Sequence, residues 1–418
     1  MERIPPMRRF LLLALALAAA SAARAQIRLP SLPRLPLPAV TQALNQGEPT
    51  VLDSASDLRH ERIKRLIRDN RKLIEADPNG EPIVRGEILA SGVSDEALAR
   101  LRASGFAVDR ERTIAGADFR LLVLKTAPGT ATQKVLRELR SADPNGLYDY
   151  NHIYLTSGLA TFAQIQGAPA SATGRSEPAP APRIRVGLID TGIDTTHPAF
   201  GESLVHGWGC GGTQHPDAHG TAVASLLAAH AAAEIYAADV FCGLPTGGSV
   251  DDLIAALGWL VDERVAVINV SLVGPRNALL ERAVHSLIER GYLLVAAVGN
   301  DGPAAPPLYP AAYPDVVGVT GVDAHRRVLL EAERGPQVMF AAPGADLEAA
   351  DLKHRYAAVR GTSYAAPTVA ALLAGPLSSP DREAALAAID RLAQSAIHLG
   401  APGRDLTYGF GLVGSADR

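Results

Sequence analysis

Gly361-Thr362-Ser363-Tyr364-Ala365-Ala366-Pro367, followed by the apolar run 368–374, is the stretch on which the reading of the chain turns. Gly361 permits a sharp backbone approach, and Thr362 and Ser363 are residues that favour helix starts. Pro367 is tolerable only near a helix N-terminus, and Gly375-Pro376 ends the helix after about three turns. A serine at such an end sits among unpaired backbone N–H groups at the positive pole of the helix dipole. Those groups can stabilise an oxyanion forming beside it. Taken alone, the stretch could also be an ordinary capped core helix, so its meaning depends on the rest of the chain.

Upstream of it, residues 184–189 form a near-continuous apolar run, as expected of a parallel strand covered on both faces. Similar runs follow at 235–240, 265–270, 292–298, 316–322 and 338–341. Helical patterns lie between them at 220–230, 250–262 and 278–290. This alternation predicts an α/β fold with a doubly wound, mostly parallel sheet, whose ligands sit at the carboxyl ends of the strands. No internal repeat is found.

Three polar residues fall on that edge. Asp190 ends the first strand in Leu188-Ile189-Asp190-Thr191-Gly192, His219 opens a helix in Ala218-His219-Gly220-Thr221, and Ser363 opens the helix described first. A nucleophilic hydroxyl needs a base within hydrogen-bond reach, and the base needs an acceptor to hold its tautomer. Bland readings exist: an Asx-type turn for Asp190, and a helix cap for His219. An aspartic dyad would need a second Asp-Thr/Ser-Gly, which the chain lacks. Ala365 replaces the second glycine of a Gly-x-Ser-x-Gly elbow, which excludes the α/β-hydrolase arrangement. His197, His206 and His215 read as structural or rim histidines, with no zinc-like spacing.

The N-terminal half has a different composition. Arg3, Arg8 and Arg9 precede an apolar run over 10–20, and Ala23-Arg24-Ala25 is an A-x-A cleavage site, so residues 1–25 read as a secretory signal. That run is short for a membrane span, and no stable span is expected elsewhere. Residues 26–85 comprise a Pro-rich extended piece and a basic helical stretch over 58–76. Its charges interleave with Glu61, Asp69 and Glu75, which favours a solvated face over an anionic contact. Residues 86–160 read β-α-β-β-α-β (strands 87–93, 106–113, 119–126 and 147–155; helices 95–104 and 132–140), the order of a small ferredoxin-like α+β sandwich. Residues 161–182 form a Pro/Ala linker, accessible to proteases, and 183–418 the α/β domain. A net charge of −4 gives no reason to expect nucleic acid as a partner. Cys210 and Cys242 are the only cysteines; export favours a disulfide between them over two buried thiols.

From Arg183 onward the chain resembles the subtilisin-like serine peptidases, or subtilases. The resemblance is carried by Asp190-Thr191-Gly192-Ile193-Asp194 with Thr196-His197-Pro198, by His219-Gly220-Thr221, and by Gly361-Thr362-Ser363 with Ala366-Pro367. Also similar are Ala296-Ala297-Val298-Gly299-Asn300-Asp301-Gly302 and Val267-Ile268-Asn269-Val270-Ser271-Leu272. Asp…His…Ser is the chain order of subtilisin. The resemblance implies a subtilisin-like fold and a serine endopeptidase with Ser363 as nucleophile, His219 as base and Asp190 as its orienter. Asn300 would donate to the oxyanion. Ser271, Leu272, Val273 and Gly274 on one side, with Ala297, Val298 and Gly299 on the other, would bind protein or peptide substrates. Val273 stands where glycine is usual, which predicts a narrowed pocket preferring small or medium apolar residues. Ala222 replaces a frequent second histidine, and no acidic calcium cluster is recognisable. No cofactor is required, and calcium stays open. Subtilases commonly carry a propeptide of the 86–160 topology whose tail inhibits the enzyme, so an intramolecular inhibitor with processing between Thr156 and Arg183 is expected. A Cys210–Cys242 bridge would brace the non-primed end of the cleft.

Overall fold

The computed structural model describes residues 49–103, 105–115, 119–157, 163–164, 183–230 and 232–414. The signal peptide read at 1–25, the Pro-rich piece after it and most of the linker at 161–182 lie outside them.

The described chain opens with helix α1 (Pro49–Asp69) and strand β1 (Ile74–Ala76). The basic stretch 58–76 is therefore not one helix. Asn70 ends α1, its side-chain amide donating to the Leu66 carbonyl at 2.9 Å. The chain then turns so that Ile74 pairs antiparallel with Val84. Nor is the helix simply a solvated face. Ile63 packs with Ile74, Ile153 and Leu155, and Arg59 reaches Asp301 of the C-terminal half.

Next come β2 (Pro82–Ser91), α2 (Asp95–Ala103), β3 (Ala107–Thr113), β4 (Arg120–Lys125), α3 (Thr132–Ala142) and β5 (Leu147–Thr156). The sheet order is β5-β2-β4-β3, antiparallel throughout. The run Leu121-Leu122-Val123-Leu124 in β4 is buried on both faces. Side chains alternate across a strand: Leu122 and Leu124 pack with Leu98 and Leu136 of α2 and α3. Leu121 and Val123 face the other way, into the core of the C-terminal half.

A short strand β6 (Ala163–Gln164) precedes β7 (Ile184–Asp190), β8 (Leu204–Trp208), α4 (Ala218–His230) and β9 (Ala233–Asp239). Then follow β10 (Gly248–Ser249), α5 (Val250–Asp262), β11 (Val267–Val270), β12 (Leu272–Val273) and α6 (Ala278–Glu289). The chain continues through β13 (Leu293–Ala297), β14 (Val317–Val322), β15 (Val338–Pro343), β16 (Leu347–Asp351), β17 (Arg355–Val359), α7 (Thr362–Ala374) and α8 (Arg382–Ser395). Seven strands form a parallel sheet in the order β15-β14-β13-β11-β7-β9-β8. One face packs on α5 and α6, the other on α4 and α7. The sheet is thus covered on both sides, which is why its strands read as unbroken apolar runs.

The N-terminal sheet lies over α5 and α6 and caps both. The Asp149 carboxylate accepts from the Ala278 N–H at 2.8 Å, and the Asn151 side-chain carbonyl from the Asp251 N–H at 3.2 Å. Helix N-termini leave such donors unpaired, so these contacts satisfy groups α5 and α6 cannot satisfy alone. Arg110 bridges Glu87 at 2.7 Å and the buried Asp251 at 2.8 Å.

Candidate active site

Asp190 is the last residue of β7 and has no exposed surface. Its Oδ1 accepts from the Thr191 N–H at 2.7 Å and meets Nδ1 of His219 at 2.8 Å. His219 is the second residue of α4, and its own N–H donates to the Asp217 carboxylate at 2.9 Å. The ring is held from one side by Asp190 and lies against the Tyr364 ring, centroids 5.5 Å apart. Its Nε2 has no hydrogen-bond partner among the described residues. An imidazole whose Nδ1–H is donated to a carboxylate presents a basic Nε2.

Ser363 is the second residue of α7 and is fully buried. Gly361, at φ 139°, makes the turn into the helix. Ser363 makes no hydrogen bond to His219. Its hydroxyl instead donates to the Ser157 carbonyl oxygen at 2.5 Å and touches the Ser157 hydroxyl. Asn300 lies beside this turn: its Oδ1 accepts from the Thr362 N–H at 3.0 Å, and its Nδ2 is buried with no partner among the described residues. The structure thus joins Asp190 to His219 and Asn300 to the Ser363 turn, and leaves the imidazole and amide nitrogens free.

What occupies Ser363 is the end of β5. This strand runs antiparallel between two short strands of the C-terminal half, with Leu155 opposite Val273, Thr156 opposite Leu272, Tyr154 opposite Gly248 and Ile153 opposite Ser249. One residue further on, the Ser157 N–H donates to the Ser271 carbonyl at 3.4 Å. Ser271 is itself fixed, its hydroxyl donating to the Ser363 carbonyl at 3.0 Å and accepting from Asn269 at 2.9 Å. Gly274 admits the Tyr154 ring, which would stand 2.6 Å from any added Cβ. Ser271, Leu272, Val273 and Gly274 therefore line one extended backbone. Ala297 ends β13, Val298 and Gly299 follow it, and all three are buried.

Cys210 and Cys242 form a disulfide. Beside it lies a groove of about 460 Å³ bordered by Thr191, His215, Asp217, Phe241 and Leu244. His197 is structural: it accepts from the Ala199 N–H at 3.0 Å and packs on Tyr356. His206 meets Glu234 at 3.1 Å. Among the described residues no group of three or more His, Cys, Asp or Glu side chains is placed to hold a metal ion.

Sequence reasoning passed over Ser157, Asp301 and Glu333. Ser157 carries no local signal; only its place one residue beyond the last strand of the α+β unit sets it apart. Asp301 sits in a quoted motif, and burial together with Glu81 pushes it up to about 6 against the pull of Arg59. Glu333, fully buried, is pushed up to about 9 by desolvation and by the nearby Asp301 charge.

The sequence profile of the subtilase family matches residues 182–411, more than half of the chain. Subtilisin E of Bacillus subtilis is 30% identical over 312 residues, covering 69% of this chain and 79% of its own. The minor extracellular protease Epr of the same organism is 29% identical over 68% of this chain. The chain spans about half of the length of Epr, 48%. Among solved structures, fervidolysin from Fervidobacterium pennivorans superposes with a TM-score of 0.66 over 81% of this chain and 61% of its own, at 20% identity, a likeness of fold. With the profile match resting on the same half of the molecule as the Asp190–His219 pair and the Ser363 turn, and subtilisin E matching over more than two thirds of the chain, the chain belongs to the subtilase family.

Proposed function

We propose that this protein is an exported serine endopeptidase made as a self-processing proenzyme. In this reading Ser363 Oγ attacks a peptide carbonyl carbon while its proton passes to His219 Nε2. Asp190 holds the imidazole by Nδ1 and stabilises the imidazolium. The oxyanion is held by Asn300 Nδ2 and the Ser363 N–H. The tetrahedral intermediate collapses as His219 returns the proton to the leaving amine, and water then hydrolyses the acyl-enzyme. Substrates are protein or peptide chains bound in extended form, and residues 1–25 act as the export signal.

The observation that carries this reading is the Ser157 carbonyl at the Ser363 hydroxyl, at the end of a strand paired on both sides like a bound substrate. Residues up to Ser157 are on this reading the inhibitory propeptide, and the Ser157–Gly158 bond is the one cut. That bond lies within the segment 156–183 expected from the sequence. The test compares wild type with Ser363→Ala by intact mass. Wild type is expected to release a fragment ending at Ser157, and the variant to stay whole. A wild type that stays whole, or a variant that is cut at the same bond, overturns the reading.

A further inference from the structure

Two carboxylates left idle by the chemistry above sit at the Gly299 wall. Glu333 donates its N–H to the Gly299 carbonyl at 3.2 Å, and its Oε2 accepts from the Leu308 N–H at 3.2 Å. Its Oε1 has no hydrogen-bond partner among the described residues. That oxygen fills the space beside Gly299, 2.3 Å from where a Cβ would stand. Asp301 follows Asn300 directly and is 19% exposed.

The cation at this corner comes from the N-terminal half. Arg59 Nε lies 3.0 Å from Asp301 Oδ2, and its two terminal nitrogens donate to Glu81 at 2.6 and 2.9 Å. Arg62, exposed at the surface, also lies within the field of Asp301. A buried carboxylate with an unpaired oxygen is costly. Arg59, Arg62 and Glu81 all precede Ser157, so they leave with the propeptide, and the corner then keeps two acids without a guanidinium.

We propose that the primary pocket of the mature protein takes a basic side chain, arginine or lysine, at the residue before the cleaved bond, with Asp301 and Glu333 as specificity determinants. The inference rests on the peptidase reading. The methylene stem of such a residue suits apolar walls such as Leu272–Val273 and Ala297–Val298, while its charged head meets Asp301 and the unpaired oxygen of Glu333, which gives up its proton to solvent as the cation docks. This departs from the small or medium apolar preference suggested by Val273 alone. Ser157 is compatible with it. A tethered segment needs no optimal side chain because its effective concentration is high, and Arg59 supplies the charge that Ser157 lacks.

The test measures kcat/KM of the self-matured protein on Ala-Ala-Pro-X p-nitroanilides with X as Arg, Lys, Phe, Leu or Ala. Arg and Lys are expected to exceed Phe and Leu by about tenfold or more, and Glu333→Gln and Asp301→Asn each to cut that ratio by about tenfold. Benzamidine, a guanidinium-like probe needing no variant, is expected to inhibit the wild type competitively at millimolar concentration or below. Preference for Phe or Leu, a ratio both variants leave unchanged, or indifference to benzamidine overturns the pocket assignment while leaving the peptidase reading intact. Absence of both self-processing and peptide cleavage overturns the peptidase reading itself, and this inference with it.

Discussion

The Ser157 carbonyl oxygen accepts the hydrogen bond of the Ser363 hydroxyl at 2.5 Å, two residues 206 apart in the chain. That bond turns the hydroxyl away from His219, whose Nε2 has no partner among the described residues. On the proposed reading this is a chain lying on its own nucleophile.

Ser157→Pro removes the N–H that donates to Ser271, beside the bond proposed to be cut. Maturation is expected to stop or to slow by about a hundredfold, on the scale of misplacing a reacting group by ~1 Å. The accumulated proenzyme is read by intact mass over a time course. Cleavage at the wild-type rate would place the scissile bond elsewhere.

Asn300→Ala removes the free Nδ2 while also losing the acceptor of the Thr362 N–H. A single side-chain donor to an oxyanion is worth roughly 10²–10³ in turnover. The variant is expected to lose kcat by that factor with KM nearly unchanged. Circular dichroism checks that the α7 turn survives, and a rise in KM with normal kcat would remove Asn300 from the oxyanion site.

The disulfide closes a loop of 32 residues in sequence separation. Loop-closure entropy assigns roughly 3–4 kcal/mol to a bridge of that span. The Cys210→Ser/Cys242→Ser protein is expected to melt about 10 °C lower by calorimetry. Calorimetry in the Ser363→Ala background avoids self-digestion. An unchanged Tm would mean that the bridge has no stabilising role.

Glu333 carries a pH dependence whose sign is fixed. Its folded-state value, pushed up to about 9, lies above the ordinary value of 4.5. The native protein therefore keeps a proton that the unfolded chain releases between those limits, and stability falls as pH rises from about 4.5 to 9. Asp301, pushed up to about 6, acts in the same sense at lower pH, while Arg59 opposes both shifts and Arg62 that of Asp301. Glu333→Gln in the Ser363→Ala background is expected to flatten the fall in Tm between pH 6 and pH 9 by at least ~2–4 °C, the shift of about 1 kcal/mol at this size. Parallel Tm curves for the two proteins would show that the carboxyl is not desolvated.

Much of this architecture was legible because local chemistry and global position agree. Residues 184–189 are apolar throughout since both faces of β7 are covered, and Asp190 breaks that run where the strand reaches the sheet edge. The Gly361 turn announces a helix start because few other residues adopt its φ. The order β5-β2-β4-β3 follows from the β-α-β-β-α-β pattern. The expectation of a single helix over 58–76 failed because Asn70, a helix-ending residue, sits within a charge pattern that continues past it. The basic face of α1 was misjudged for a different reason: Glu81 and Asp301, which neutralise Arg59, lie 22 and 242 residues away and leave no local trace. Ser157 stayed hidden likewise, since its meaning comes from β12 and α7 alone.

β10 and β12 each complete their hydrogen bonds on a strand that maturation would carry away. The working groove is then a ribbon with its middle thread drawn out, and its first demand on any newcomer is a straightened backbone. If the proposed maturation holds, compact proteins would be cut only as fast as they fray open, and firmness would spare a partner before its side chains are ever read.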